Sequence, residues 1–310
     1  MEFRVLQYFL AVAREENITK AAEILHITQP TLSRQMAELE TVLGTTLFYR
    51  TNRKTVLTED GLRLRQRAEE IVELVSKTEA EFLTANGSIS GEVYIGGGET
   101  DAMRLIARTA QQLHGKYPDI YYHLYSGNAP DVMEKLDQGL LDFGVLIEPV
   151  DKGKYAYLQL PAVDTWGVLM RRDSPYAALP DISAETLREM PLICSRQSMV
   201  NGDFTNWLGH DLKKLHLIGS YNLVYNASLM VAEGLGYALC LDKLVNVETS
   251  GLCFRPLQPK MEAKLVLVWK KHQMFSRVAE LFLHTLRDSL AQAEGQFGQS
   301  GASLPAEPTD

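Results

Sequence analysis

The stretch AAEILHITQPTLSRQMAELETVLG, residues 21–44, constrains the fold of this chain more than any other part of it. Apolar side chains recur in it at spacings of four, three and four residues, at Leu32, Met36, Leu39 and Leu43. This spacing predicts an α-helix with one narrow buried stripe. Thr28 can cap the start of the helix, Pro30 suits its first turn, and Gly44 suits its end.

The opposite face of this helix and the turn before it carry small or polar side chains and one arginine. These residues are Gln29, Pro30, Thr31, Ser33 and Arg34. Small residues let a helix backbone approach another surface closely, and an arginine can bind guanine or phosphate. The alternative is an ordinary amphipathic helix with a solvated face.

The neighbouring sequence favours nucleic-acid recognition. Two more helices are predicted in FRVLQYFLAVAREE and NITKAAEILH, and the tight turn ITQP joins the second helix to the third, as in a helix-turn-helix. After Gly44, the β-like runs LFYR and TVLT flank the basic turn TNRK, which predicts a hairpin wing. Arg50, Arg53 and Lys54 on this wing are expected to contact the phosphate backbone or to enter a minor groove.

The acidity of the chain does not argue against nucleic acid, because it belongs to the rest of the chain. The formal net charge is −8, yet residues 1–58 carry seven Lys or Arg against six Asp or Glu. That segment therefore has a net charge of +1 and the remainder −9. A weak local positive charge predicts that several copies of the reading segment act together on DNA.

The run AAEILHITQPTLSRQMAELETVLGTTLFYR, followed by LTEDG, resembles the signature of the LysR-type transcriptional regulator family. The resemblance extends in architecture, with weaker motifs, to about residue 294. It implies a mostly α-helical winged helix-turn-helix DNA-binding domain over 1–58, a long linker and dimerisation helix over 59–87, and an α/β periplasmic-binding-protein-like effector domain of two subdomains over 88–294.

The resemblance also implies a function. A sequence-specific DNA-binding regulator of this family is controlled by a small-molecule effector bound between the two subdomains. Its expected partners are double-stranded DNA with dyad-symmetric sites, the effector, and further copies of the chain in a dimer or tetramer. RNA polymerase is a further candidate partner. No cofactor, no metal and no membrane are expected, and the location is expected to be cytoplasmic.

The predicted linker helix carries an apolar seam at heptad-like spacing. The seam comprises Leu64, Ala68, Ile71, Val75, Thr78 and Phe82. A seam on a helix between two domains is suited to pairing with a second copy of itself. The alternative is a helix that packs on its own domain.

From Gly91 onward, strand and helix patterns alternate, which predicts mostly parallel sheets with helices on both faces. Two such units follow each other, and the last strand and helix are expected to return to the first. Subdomain I is therefore expected over about 91–162 and 266–294, and subdomain II over about 163–265. The Gly-, Ser- and Pro-rich tail 295–310 is predicted to be disordered.

The sequence offers little support for catalysis. It has no GxSxG elbow, its GGGETD run lacks the spacing of nucleotide-binding loops, and its seven histidines show no HxxxH or HExxH motif. Cys194, Cys240 and Cys253 show no metal-binding spacing, and buried inert thiols are the favoured interpretation. A redox-sensing regulator of the same fold, an enzyme with a DNA-binding head and a ligand-independent architectural DNA binder remain alternatives.

Ligands of doubly wound units bind at the carboxyl ends of strands, near helix N-termini. This rule and the family's use of the loop at Thr100 predict the effector site at Gly98, Glu99, Thr100, Asp101, Ser126, Asn128, Ile147, Gln197, Ser198, Asn201, Tyr225 and Asn226. Asp101, Asn128 and Asn226 have the alternative of acting only in helix caps or turns.

The charges of the first loop predict the chemistry of the effector. Glu99 and Asp101 flank Thr100, where relatives in the family bind a carboxylate, and like charges ~4 Å apart in a partly buried cleft repel by a few kcal/mol. We therefore expect an effector with hydroxyl or amine groups. The alternative is that Asp101 caps its own helix and Glu99 points to solvent.

Overall fold

The computed structural model describes the backbone of residues 1–50, 54–82, 89–195, 202–209 and 214–299. It also describes their side chains, apart from those of residues 50, 80–82, 202–203 and 293–299. The chain forms two compact units, Met1–Leu83 and Thr84–Asp310. Within the described residues, no helix combines the length and apolar character needed to cross a membrane.

The first unit contains four helices and one hairpin in its described part. They are α1 (Phe3–Glu15), α2 (Ile18–Ile24), α3 (Gln29–Leu43), β1 (Phe48–Arg50), β2 (Thr55–Leu57) and α4 (Glu59–Phe82). Phe48 pairs with Leu57 and Arg50 with Thr55 in an antiparallel ladder, which forms the predicted wing. This arrangement confirms the predicted winged helix-turn-helix.

The bounds of α3 follow from its sequence. The Thr28 side chain accepts a hydrogen bond from the Thr31 backbone N–H, and Gly44 ends the helix in the left-handed conformation with φ +68°. Leu32, Met36 and Leu39 are buried against α1 and α2, as the apolar spacing predicts. Leu43 is 40% exposed, so its assignment to the buried stripe is wrong, because the helix reaches past the edge of the small core.

Helix α4 packs on its own unit over its first half. Ala68 is fully buried in the core of the first unit, and Leu64 packs against the same core. These two members of the predicted seam therefore pack inside the first unit and are not available to a second copy, because α4 crosses α1 and buries that part of its face. Farther along, Ile71 and Leu74 are 38% and 40% exposed and Val75 is half-buried. The Phe82 side chain lies outside the described residues.

The second unit begins with alternating strands and helices. Its first part comprises β3 (Gly91–Gly97), α5 (Met103–Lys116), β4 (Ile120–Ser126), α6 (Ala129–Asp137) and β5 (Phe143–Ile147). The strands β4, β3 and β5 lie side by side and run parallel. Gly96 sits inside β3, where an added Cβ would lie 2.5 Å from Leu141 Cδ1. Packing therefore explains part of the glycine run that precedes Glu99.

The rest of the unit continues the alternation and adds antiparallel strands. The elements are β6 (Tyr155–Arg171), β7 (Ile182–Ser183), α7 (Ala184–Glu189), β8 (Leu192–Ser195), α8 (Gly202–Trp207), β9 (Leu217–Tyr221), α9 (Val224–Ala232), β10 (Tyr237–Leu241), β11 (Leu252–Gln258), β12 (Glu262–Lys270) and α10 (Arg277–Gln299). A short 3₁₀ helix spans Pro175–Ala178.

One sheet path connects both halves of this unit, in the order β4-β3-β5-β12-β6-β10-β8-β9. The path links two cores, one under α5 and α10 and the other around β8 and β10. Strands β6 and β12 pair with each other from Tyr155 to Thr165, and β6 then pairs with β10 from Trp166 onward. The predicted subdomain crossings near 162/163 and 265/266 fall within these two strands.

Several elements differ from those that the sequence predicts. The run WGVLMRR predicts a strand over 166–172, whereas strand β6 starts at Tyr155, and strand β11 has no predicted counterpart. Both contain proline, which weakens a strand pattern, yet both pair antiparallel as part of the sheet. The predicted disorder from residue 295 is wrong for 295–299, where α10 continues to Gln299; residues 300–310 lie outside the described part.

Candidate functional sites

The first unit presents a polar face on α3. Gln29, Pro30, Thr31 and Arg34 are exposed and Ser33 is half-buried, which leaves the backbone of the first turn accessible. The Arg34 side chain is 81% exposed, and its Nε donates to Glu38 Oε1 at 2.8 Å. This bond uses the Nε–H of Arg34 and leaves N–H groups of its two terminal nitrogens available to other acceptors. A positioned, exposed arginine can donate two hydrogen bonds to guanine.

The second group of predicted DNA contacts is on the wing, at Arg50, Arg53 and Lys54. Lys54 is exposed and its Nζ donates to Glu16 Oε2 at 2.7 Å, which raises the pKa of Lys54. Arg50 lies at the end of β1, and its side chain is outside the described part. Arg53 lies outside the described residues altogether. Two of the three predicted wing contacts therefore have no described side chain.

The second unit contains a cavity of about 60 Å³ between its two halves. Both halves line it: Gly98, Glu99, Thr100, Gly127, Asn128, Ala129, Val145, Leu146, Ile147, Trp166, Ser195, Tyr221, Asn222, Val224, Leu241, Leu244 and Leu265. Polar groups lie at the ends of the strands, and apolar side chains form much of the rest. This mixture is typical of a small-molecule site.

Two hydrogen bonds hold the Thr100 side chain in the lining of the cavity. It is 8% exposed; its hydroxyl donates to Asp164 Oδ2, and its oxygen accepts from the Ala102 backbone N–H at 3.1 Å. Asp164 lies on β6 and is 1% exposed. Burial raises the pKa of the Asp164 carboxyl, and the charges of Asp242 and Asp101 add to the rise, although the Thr100 hydrogen bond and Lys243 oppose it.

The two acidic residues beside Thr100 have different roles. The Glu99 carboxylate accepts a hydrogen bond from the backbone N–H of Val224, the first residue of α9, on the opposite half. Asp101 instead accepts from Arg104 Nε at 2.6 Å and does not cap α5. Asp101 does not line this cavity and lines the outer opening instead, so its role toward the effector stays a prediction. The alternative that Asp101 caps its own helix while Glu99 points to solvent is wrong.

The other predicted effector residues fall into four groups. Asn128 and Ile147 line the cavity, and Asn128 also caps α6 by accepting from the Asp131 N–H at 3.0 Å. Ser126 is exposed and lines an outer opening instead. Tyr225 and Asn226 are exposed on α9, outside the cavity lining, because the strand before them ends four residues earlier. Gln197, Ser198 and Asn201 lie outside the described residues.

The prediction missed Trp166, Tyr221 and Val224. Tyr221 ends β9, and its hydroxyl donates to the Leu239 carbonyl at 2.7 Å. The strand-end rule selects it once β9 ends at Tyr221, so its absence from the prediction is an error of boundary placement. Trp166 lies where β6 passes between the halves, and no local motif marks that position.

The described cysteines are buried and unpaired, on the second half. Burial raises the pKa of Cys194 to about 12 and that of Cys240 to about 12. Because the thiolate is the form that reacts with oxidants, these environments disfavour oxidation. Within the described residues, no group of three or more His, Cys, Asp or Glu is arranged to hold a metal ion.

Comparison with known proteins agrees with this architecture. Residues 3–62 match the family described as bacterial regulatory helix-turn-helix protein, lysR family, and residues 86–291 match the LysR substrate binding domain. The Hca operon transcriptional activator HcaR of Escherichia coli (strain K12) is 29% identical, over 94% of this chain and 99% of that protein. The hydrogen peroxide-inducible genes activator of Pectobacterium carotovorum subsp. carotovorum is 28% identical, over 94% and 97%.

The solved structures give the same fold. Full-length CbnR in complex with its target DNA aligns with a TM-score of 0.72 at 19% identity, over 93% of this chain and 100% of that chain. The chain belongs to the LysR family. It is a DNA-binding transcriptional regulator with a substrate-binding domain, and its class comprises regulators rather than enzymes.

The buried Asp164 carboxyl predicts a pH-dependent stability. A carboxyl with a raised folded-state pKa stabilises the protein fully below its unfolded pKa, and this contribution is lost as pH rises through the folded value. Asp164→Asn removes the titration and keeps an oxygen that accepts from Thr100. We expect the variant to gain free energy of unfolding relative to the wild type as pH rises from about 4 to 8, measured by urea unfolding.

The control is Asp173→Asn, where the Arg171 guanidinium lowers the pKa of an exposed carboxyl. Its stability difference should stay nearly constant from about pH 4 to 8 and should change in the opposite direction only below about pH 4, where the carboxyl is protonated. That change should be slight because the pair is exposed. A difference between wild type and Asp164→Asn that stays constant over this pH range contradicts the assignment.

Proposed function

We propose that the chain reads operator DNA with the exposed face of α3 and the wing, and that a small effector in the cavity of the second unit controls this binding. The observation that carries the proposal is the cavity itself, because residues of both halves line it and one hydrogen bond crosses it. A ligand there contacts both walls, so its binding energy depends on how the halves are arranged.

Within α3, we propose that Gln29, Pro30, Thr31, Ser33 and Arg34 face the major groove, with Arg50, Arg53 and Lys54 on the backbone or minor groove. The exposure of Arg34 and its bond to Glu38 support this assignment. Glu38 accepts hydrogen bonds from Arg34 Nε at 2.8 Å and from Gln35 Nε2 at 3.1 Å, which favours this position of the Arg34 side chain before DNA binds.

Arg34→Ala tests the reading face. The variant should lose about 1–3 kcal/mol of operator binding and relax base preference at one position per half-site. The operator is first selected from a random duplex library, and affinity is then measured for each single-base variant. Arg14→Ala is the control, because it removes an exposed positive charge of the same unit from α1. Unchanged base preference in Arg34→Ala rules out the recognition-helix assignment.

We further propose that two copies pair through the apolar residues that α4 leaves exposed, so that two reading heads meet a dyad-symmetric site. Ile71, Leu74 and half-buried Val75 support this interface, whereas Leu64 and Ala68 serve their own unit. The resemblance to the family extends the proposal to a tetramer through the second units and to RNA polymerase as a partner.

Ile71→Glu combined with Leu74→Glu tests the interface. Like charges buried between two helices are strongly unfavourable, so the particle mass should fall and operator affinity with it. Light scattering of the full chain measures the mass. Leu62→Glu is the control, because Leu62 is 51% exposed and lies about 180° around α4 from Ile71. Equal effects of the control and the double variant contradict an interface on this side.

A further inference from the structure

Glu99 makes a contact that joins the two halves of the second unit. It lies in the loop after β3, and its carboxylate accepts from the backbone N–H of Val224, 125 residues away in the sequence. Val224 is 1% exposed, so the contact is shielded from solvent on that side. Glu99 and Val224 both line the cavity, which places the bond across its mouth or wall rather than on an unrelated surface.

The bond satisfies a specific need of α9. The first N–H groups of a helix have no partner within it, and they form its positive end. The residue before α9, Leu223, cannot cap with its side chain. Glu99 therefore supplies the oxygen that a capping residue would supply, but from the other half. An effector carboxylate entering the cavity would meet a helix end that already holds a carboxylate.

Thr100 points to the same conclusion by a separate route. A threonine hydroxyl has one proton, and the Thr100 hydroxyl donates it in a hydrogen bond to Asp164, which is 1% exposed. Toward the cavity, this hydroxyl can therefore offer only its oxygen as an acceptor. The loop at Gly98–Thr100 thus presents a carboxylate and a hydroxyl oxygen as acceptors, which suits a ligand that donates hydrogen bonds.

We infer that Glu99 is a built-in ligand of the cavity, which occupies the anion position at the N-terminus of α9 and holds the two halves together in the absence of effector. The effector is then a hydrogen-bond donor, an amine or a polyhydroxy compound, that replaces the Val224 N–H as the partner of Glu99. A simple carboxylate would instead leave Glu99 unpaired beside a second negative charge. This inference rests on the proposed effector site.

The cavity has a wider neighbour on the same loop. It shares Gly98, Glu99, Thr100 and Leu244 with an outer opening of about 360 Å³. A ligand that reaches the Glu99 carboxylate from either side competes with the Val224 N–H for it.

Amide hydrogen exchange at Val224 in the full chain measures this bond directly. In Glu99→Ala, the Val224 amide should exchange at least tenfold faster than in the wild type. Sodium acetate at tens of millimolar should restore its protection in the variant and leave the wild type unchanged, with sodium chloride as the ionic-strength control. Asp101→Ala is the matched variant, because it removes the neighbouring carboxylate that pairs with Arg104, and it should leave Val224 unchanged.

Ligand preference gives a second readout. Ethanolamine should raise the thermal midpoint of the wild type more than acetate does, and Glu99→Ala should reverse that order. Glu99→Gln, which keeps the side-chain size and one accepting oxygen, should exchange at an intermediate rate and serves if the alanine variant folds poorly. Unchanged Val224 exchange in both Glu99 variants, no rescue by acetate, or acetate preferred by the wild type would each overturn the inference.

These readouts involve no DNA, so they separate the inference from the proposed function. A regulator controlled through this cavity can fail them if Glu99 is not its internal ligand. Conversely, these readouts can have the expected results while no cavity ligand changes DNA binding. Glu99 would then still be the internal ligand, but the proposed control of DNA binding through the cavity would be wrong.

Discussion

The pairing of β6 with β12 is the constraint on which the second unit depends. Both strands extend through the boundary between the halves, and β6 exchanges β12 for β10 between Thr165 and Trp166. These shared strands join the halves at the sheet. Among the described contacts, the Glu99–Val224 bond joins the loop after β3 to α9 on the other half, so a ligand that competes for either partner can bias it.

Electrostatics explain the selectivity that we propose for the cavity. Asp164, on β6 where the strand passes between the halves, is buried and accepts a hydrogen bond from the Thr100 hydroxyl. That hydroxyl therefore has no proton left to donate to a ligand. Glu99 adds a charged acceptor above it. Burial raises the pKa of Tyr221, whose hydroxyl donates to the Leu239 carbonyl and not into the cavity. Glu99 is thus the charged acceptor on the loop side of the cavity.

Local patterns predicted much of this architecture. The stripe Leu32, Met36 and Leu39 and the caps at Thr28 and Gly44 depend on residues within a few positions, and the structure has them as predicted. Partners distant in sequence were not predictable in this way. Ala68 is buried because α4 packs against α1, and the hydrogen-bond partner of Glu99 lies 125 residues away in the sequence. The run LHLIGSYNLV predicts a strand over 215–224, three residues past the end of β9 at Tyr221, so the strand-end rule selects Tyr225 and Asn226 in place of Tyr221.

The central claim is that the state of this cavity sets the affinity for DNA. Operator affinity of the full chain, measured for wild type, Glu99→Ala, and Glu99→Ala with acetate, tests it without knowledge of the natural effector. The account predicts that the variant differs from wild type by about 5- to 150-fold, the usual range of allosteric coupling. It also predicts that acetate returns the affinity toward the wild-type value. The same affinity in all three samples, with Val224 exchange altered, would contradict the claim.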